Sequence, residues 1–154
     1  MRYWIEISSE YRFQKKVSNL EGLYAPASTR YKNMLKEVNK DDIVLHYITG
    51  YLAIKKEHKS TIIGVSIVKS KMNILDKKLN IDLGTPIIIP IPIHISEIKE
   101  ITEKSFLLKK FLGFNFQRYL GEILAEDFFQ ILNIHPENLQ FFNNYKEENR
   151  GIAC

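Results

Sequence analysis

The segment EGLYAPASTRYKNML, residues 21–35, brings together residue types that bind nucleic acids. Tyr24 follows a glycine there, and Arg30, Lys32 and Lys36 come soon after it. A planar ring stacks on a nucleobase and cations bind phosphates, so this combination is typical of nucleic-acid-binding surfaces. The alternative interpretation is that Tyr24 packs against the core beside it.

Two further aromatic residues are candidates for a base pocket. Trp4 belongs to an alternating first strand, and Tyr47 follows His46 on another apolar strand. Recognition of an extruded base needs stacking faces and a hydrogen-bonding floor. Polar groups at the ends of these strands would supply that floor, namely Ser8, Ser9 and Thr49.

Positive charge is concentrated near the amino terminus. The 154 residues have a net charge of +4, and residues 1–36 hold seven Lys and Arg against three Glu. The other 118 residues hold 15 cations and 15 anions. An excess confined to the first quarter favours a polyanionic partner, although a solvated lysine-rich surface would look the same.

Catalytic and cofactor motifs are absent from the sequence. Phosphate-binding glycine loops and the nucleophile elbow do not occur. The histidines have no metal-ligand spacing, and we expect His46 to be hydrogen-bonded within the fold. We therefore expect a protein that is not an enzyme and binds no cofactor or metal.

The surroundings of the protein are also indicated by the sequence. Cys154 is the single cysteine, which excludes an internal disulfide and favours a reducing, cytoplasmic setting. The chain opens without the basic head and apolar stretch of a signal peptide. Its longest apolar run is too short to cross a membrane.

Periodicity predicts an α+β domain, with a mixed sheet or small barrel and helices packed against it. The proline-containing run PIIIPIPIHI is predicted to form an edge or irregular strand, because proline lacks an N–H group. The segment around Gly121 is predicted to be a loop. The other predicted strands are 2–7, 43–49 and 61–75, the last bending at Gly64. The predicted helices are 9–20, 29–37, 125–134 and one from Pro136, and a turn or short helix is predicted around 98–104.

An ordered set of segments resembles the EVE family of the PUA-like superfamily, to which the YTH domains are related. The segments are YWIEIS, GLYAP, MLKEVNKDDIVLHYIT and IIGVSIV, followed by IPIPIHISEI and FNFQRYLGEILAEDFFQIL. The resemblance covers about residues 2–134, which implies an EVE domain at 1–134 and a C-terminal helical extension or tail at 135–154. Lys40 stands where the family has glycine, and Tyr24 where it has tryptophan.

The resemblance implies a barrel-like sheet of about six strands with a pocket for a modified, methylated base. Tyr24 would form a wall of that pocket, Ala25 would contact the base edge through its backbone, and Ser8 or Ser9 would reach inside. Arg118 would hold a phosphate, or else form a surface ion pair. The implied partner is nucleic acid, DNA rather than RNA, with one base flipped out of the strand. No membrane partner is implied.

Several functions remain open from the sequence. Two settings stay open for a reader of this kind: a free-standing protein, or the N-terminal reader of a modification-dependent restriction system, in which a AAA+ motor would follow or associate. The alternatives are an RNA-binding PUA-like domain, a ribonuclease of the related ASCH type, and a protein-interaction module that uses the sheet edge.

Overall fold

A computed structural model describes residues 1–18, 23–26, 35–49, 53–75, 78–105, 107–108 and 120–152, with the backbone alone at 24–26, 74–75, 78–79 and 149–152. The strands of this part of the chain are β1 Tyr3–Ser8, β2 Leu23–Pro26, β3 Ile43–Ile48, β4 Thr61–Ile67, β5 Asn73–Leu75, β6 Lys78–Ile81, β7 Ile87–His94 and β8 Leu120–Ile123. The α-helices are α1 Glu10–Val17, α2 Lys99–Lys104, α3 Ala125–Asn133 and α4 Pro136–Ile152, and short 3-10 helices span Lys56–His58 and Ile95–Ile98.

The main sheet is mixed and has five strands in the order β7-β4-β3-β1-β8. Its neighbours β1 and β3 are parallel, with Tyr3 opposite Ile43 and Ser8 opposite Ile48. The other pairings are antiparallel. All residues of β1 and β3 are buried, as expected for strands covered on both faces.

A second sheet of three strands, in the order β2-β6-β5, covers part of the main sheet. The predicted strand 61–75 is therefore wrong as one element, because β4 ends at Ile67 and β5 begins at Asn73 in the other sheet. The predicted bend is confirmed, since the register of β4 against β7 shifts between Ile62 and Gly64. A Cβ on Gly64 would lie 2.6 Å from the ring of Phe13, so a larger side chain has no room there.

The α+β class is confirmed, but the main sheet is open. Strands β7 and β8 form its two edges, so the barrel-like sheet implied by the resemblance is replaced by two packed sheets. The proline-containing strand lies at an edge, as predicted. Gly121 lies within β8 and not in a loop, which corrects that prediction.

The helices match the sequence patterns closely where the structure describes them. Ser9 caps α1, with its side chain accepting a hydrogen bond from the N–H of Arg12 over 3.2 Å. The helix predicted at 125–134 and the helix from Pro136 are confirmed. The helix predicted at 29–37 lies almost entirely outside the described residues.

The described residues form three apolar clusters, of which the two largest lie on opposite faces of the main sheet and the smallest joins Phe13 of α1 to Ile48 and Ile63. One face carries Tyr3, Ile5 and Ile7 and packs against α3 and α4, where Phe128 and Phe142 are fully buried. The helix that follows residue 134 therefore shares the main core. The other face carries Trp4 and packs against Leu23 and Ile81 of the second sheet. No described helix is long and apolar enough to cross a membrane.

Candidate functional site

The ends of the two parallel strands bring polar groups together. Ser8 ends β1 and Thr49 follows β3, and the N–H of Thr49 donates to the carbonyl of Ser8 over 3.2 Å. Both residues are buried, with Thr49 8% exposed. The Thr49 hydroxyl is enclosed and has no hydrogen-bond partner among the described residues. A buried hydroxyl without a partner costs about 1–3 kcal/mol, so among the described residues this oxygen has hydrogen-bonding capacity that the fold does not use.

The two other hydroxyls predicted for the site have partners within the chain. The Ser8 hydroxyl donates to the carbonyl of Ser9 over 3.3 Å. The Ser9 hydroxyl caps α1 by accepting from Arg12. The structure therefore brings Ser8, Ser9 and Thr49 together, and Thr49 carries the one hydroxyl of the three that has no described partner.

Trp4 and Tyr47 are each 1% exposed, which corrects the expectation that their rings stack on a base. The indole of Trp4 is fixed in the core, and its Nε1 donates to Asp42 Oδ2 over 3.0 Å. Tyr47 lies in the main core, where burial raises the pKa of its hydroxyl and a hydrogen bond with Ser60 opposes that rise. Both rings support the sheet behind the site and present no face to solvent.

The segment around Tyr24 forms strand β2. Tyr24 pairs with Asn80, and Ala25 with Leu79, in the antiparallel ladder between β2 and β6. Lys36 is exposed in a turn. The remaining residues predicted to bind phosphate, Arg30, Lys32 and Arg118, lie outside the described residues.

A buried polar chain crosses the main sheet beneath α1. Glu6 Oε1 lies 2.9 Å from Nδ1 of His46, and Nε2 of that ring lies 2.7 Å from the Ser66 hydroxyl. Lys16 Nζ, from α1, lies 3.4 Å from Glu6 Oε2. The side chains of Glu6 and His46 are 0% exposed and that of Lys16 is 1% exposed. The expectation that His46 is hydrogen-bonded within the fold is confirmed.

Burial sets the charge state of this chain of groups. It lowers the pKa of His46, and the nearby Glu6 carboxylate opposes that effect only in part. The neutral ring donates from Nδ1 to Glu6 and accepts at Nε2 from Ser66. Lys16 and Glu6 then balance each other's charge. The arrangement ties α1 to three strands, with Phe13 lying over the imidazole at a centroid distance of 5.3 Å.

Sequence reasoning missed Glu6, Lys16 and Ser66. A signal for Glu6 was present, because strand alternation places it on the same face as Trp4 and Ser8, between two fully apolar neighbours. An acid in such a position must find a partner. The described residues contain no group of three or more His, Cys, Asp or Glu that could hold a metal ion.

No family model matches the sequence, and no curated protein matches it. Solved structures do match. Human THYN1, in complex with DNA that contains 5-methylcytosine, is 14% identical, covers 88% of this chain and 98% of its own, and has a TM-score of 0.62.

Two further solved structures match this chain. The N-terminal domain of McrB from Staphylothermus marinus is 15% identical, covers 84% of this chain and 92% of its own, and has a TM-score of 0.58. A mutant of the ASCH protein from Zymomonas mobilis is 11% identical, covers 86% of this chain and 98% of its own, and has a TM-score of 0.59. Together with the two-sheet α+β architecture, these similarities show that the chain has the PUA-like fold of the EVE and ASCH domains.

Proposed function

We propose that this chain is a non-catalytic module that binds nucleic acid and recognises one modified base, flipped out of the strand. The base would enter where β1 and β3 end, beside Ser8 and Thr49. The observation that carries the proposal is the enclosed hydroxyl of Thr49, which has no partner among the described residues, in a fold shared with a protein complexed with methylated DNA. A base edge offers the hydrogen bond that this hydroxyl lacks.

The roles of the other residues come from the sequence and belong to the proposal. Tyr24 would stack on the flipped base, and the backbone of Ala25 would contact its edge. Ser8 and Ser9 would form the polar rim around Thr49, with Trp4 and Tyr47 as buried supports behind it. The phosphates on either side would be held by the cations Arg30, Lys32, Lys36 and Arg118.

Discrimination for a modified base would come from filling an apolar hollow. A methyl group that fills such a hollow contributes about 1–3 kcal/mol relative to the bare base. Flipping costs a few kcal/mol, which stacking on Tyr24 and phosphate contacts would offset. The preference is therefore expected to be modest for each module, and we place DNA before RNA because of the similarity to the THYN1 complex.

The similarity to the N-terminal domain of McrB suggests the wider setting of the module. We propose that it serves as the reader of a modification-dependent restriction system, joined to or associated with a AAA+ motor. We expect the reader to bind its base without nucleotide hydrolysis, because hydrolysis would belong to the motor.

The proposal is tested by fluorescence anisotropy at low salt with matched single- and double-stranded DNA and RNA. Each probe is used plain, with methylated adenine, and with methylated or hydroxymethylated cytosine. We expect one modified probe to bind more tightly than its plain counterpart, and Thr49→Val and Tyr24→Ala to remove that difference. Equal binding of all probes, or a preference unchanged in both variants, would contradict base recognition.

A second candidate is an RNA-binding domain or an ASCH-like ribonuclease, which the similarity to the ASCH protein favours. Incubation with end-labelled RNA separates it from the first. Cleavage that is lost in a site variant would establish the enzyme, whereas tight binding of RNA without cleavage would establish the RNA-binding domain.

A further inference from the structure

Glu10 fastens the segment 53–60 to the first turn of α1. Its Oε1 accepts hydrogen bonds from the N–H groups of Ile54 over 2.9 Å and Lys55 over 3.0 Å. Its Oε2 lies 3.3 Å from Nδ1 of His58. The residue is 2% exposed. A segment distant in sequence is thereby held beside α1, and the side chains of both elements form one outer surface.

This surface, which we call the α1 surface, is strongly basic. Its cations are Arg12 and Lys15 of α1 and Lys55, Lys56 and Lys59 of the fastened segment, against the single exposed acid Glu57. The sequence alone placed the positive excess in residues 1–36. Folding adds three lysines from elsewhere in the chain, because the one acid of α1 turns inward to hold them in place.

Exposed apolar groups lie among these cations. Tyr11 is 60% exposed, and Lys15 Nζ lies 4.8 Å from the centre of its ring. Ile54 is 64% exposed. A large exposed ring flanked by cations matches how proteins bind a strand, with the ring stacking on an unpaired base and the cations on the phosphates beside it.

We propose that the α1 surface is a second nucleic-acid contact, which binds phosphates and one unpaired base of the strand that carries the recognised base. The proposal rests on the proposed function. Helix α1 is capped by Ser9, directly after Ser8 of the candidate pocket, so this surface begins next to the proposed base site. The pocket would select the base, while the α1 surface would supply affinity that does not depend on sequence or modification.

Charge reversal tests the electrostatic part of the proposal. The variant carries Lys55→Glu with Lys56→Glu, and the matched control carries Lys99→Glu with Lys104→Glu on exposed positions of α2, which packs on the opposite face of the sheet. Both change the net charge equally. We expect the first variant to lose about tenfold or more in affinity for plain and modified probes alike, and its salt slope to fall by about 0.7–0.9 for each phosphate contact removed.

Substitution of the ring tests the stacking part. We expect Tyr11→Ala to weaken binding of single-stranded probes about fivefold or more, and Tyr11→Phe, which retains the ring, to bind like the wild type. The preference for the modified base should be retained in every variant of the α1 surface, in contrast to Thr49→Val.

The outcomes separate this proposal from the proposed function. If the wild type prefers a modified probe and the two lysine-pair variants bind equally well, or are weakened equally, the α1 surface is overturned and the base pocket is retained. Binding without any modification preference, weakened by the Lys55 and Lys56 variant alone, would support the surface and overturn the base pocket. A wild-type chain that binds none of the probes would overturn both.

Discussion

The side-chain amide of Asn138 pairs with the backbone of Ile91 as a neighbouring strand would. Its Nδ2 donates to the Ile91 carbonyl over 2.7 Å, and its Oδ1 accepts from the Ile91 N–H over 2.9 Å. Residues 89–92 of β7 lie here opposite Ile63 alone, so β7 bulges away from β4. The amide, carried by α4, satisfies backbone groups that the bulge and the prolines beside it leave without strand pairing.

Asn138→Ala is expected to lower the free energy of unfolding by about 2 kcal/mol or more, because it leaves both backbone groups of Ile91 unpaired. Urea unfolding measures the change. Asn143→Ala, at an exposed position of the same helix, is the control and should change stability by less than about 0.5 kcal/mol. Equal effects of the two substitutions would show that the amide contact contributes nothing.

The same pairing bears on the interaction-module hypothesis. A strand added to the edge at β7 would need the N–H and carbonyl groups there, and those of Ile91 are already taken. We expect Asn138→Ala to expose them and to promote self-association at high concentration, measured by sedimentation velocity. A variant that stays monomeric would show that the prolines alone block the edge.

Thr49→Val is expected to leave stability unchanged or to raise it by up to about 1 kcal/mol, because a buried hydroxyl that has no partner in the described part of the chain is replaced by a methyl group of similar size. Thr61→Val is the matched control, since the Thr61 hydroxyl is also buried but donates to the carbonyl of Lys59 over 2.6 Å. It should lower stability by about 1–3 kcal/mol. Thermal and urea unfolding of both variants give the comparison.

A gain in stability together with a loss of base preference in Thr49→Val would identify a group kept for binding at the expense of the fold. Destabilisation equal to that of Thr61→Val would contradict this, because it would mean that the Thr49 hydroxyl is satisfied in solution.

His46 is expected to make stability depend on pH. Burial lowers its pKa below the ordinary value of 6.5, so the unfolded chain takes up a proton near that pH while the folded chain does not. The unfolding free energy should therefore fall as the pH drops below about 6.5, by at most about 1.4 kcal/mol per pH unit from this residue. The charged groups facing the ring are Glu6 and Lys16.

Urea unfolding at pH 7.5, 6.5 and 5.5 measures this slope. We expect His46→Gln to be less stable at pH 7.5, because it breaks the bonds to Glu6 and Ser66, but to lose less stability on acidification. A slope equal to that of the wild type would contradict a neutral, buried imidazole.

Glu10 should also contribute stability that is lost on acidification, but at a lower pH than His46, as expected for a carboxylate stabilised by hydrogen bonds. Burial alone would raise the pKa of Glu10, but the N–H groups of Lys55 and Ile54 and the nearby His58 together lower it below 4.5. Its contribution to stability is therefore complete above about pH 4.5 and is lost as the pH falls through the lowered pKa. We expect Glu10→Gln to cost about 1–3 kcal/mol at pH 7 and progressively less under acid conditions.

Limited trypsin digestion tests the local role of Glu10. Cleavage after the lysines of the segment 53–60 should be faster in Glu10→Gln than in wild type, because that segment loses its attachment to α1. Glu57→Gln, an exposed change in the same segment, is the control. Equal protection of all three proteins would contradict the attachment.

Local patterns predicted most of the described elements. Strand alternation gave β1 and β3 nearly to their ends, and the apolar face of residues 125–134 gave α3. The prolines of β7 placed it at an edge, since a central strand needs the N–H groups that proline lacks. The division of residues 61–75 between two sheets was not predictable, because it depends on pairing with distant strands.

The candidate site was predicted less well than the fold. The sequence of a strand does not show whether an aromatic ring faces a pocket or the core. Both Trp4 and Tyr47 proved to be in the core. The parallel pairing of β1 with β3 decides that Ser8 and Thr49 meet, and the sequence does not reveal it. The inward turn of Glu10 likewise depends on a contact 44 residues away.

The buried chain Lys16–Glu6–His46–Ser66 also limits how this protein can diverge. Replacing Glu6 alone would remove the carboxylate beside the buried ammonium of Lys16, and replacing Lys16 alone would remove the ammonium beside the buried Glu6. Drift at these positions therefore has to proceed through paired exchanges, in which helix and strand change together. We expect distant homologues to keep all four residues or to hold an apolar set in their place, so that the four positions are inherited as a block.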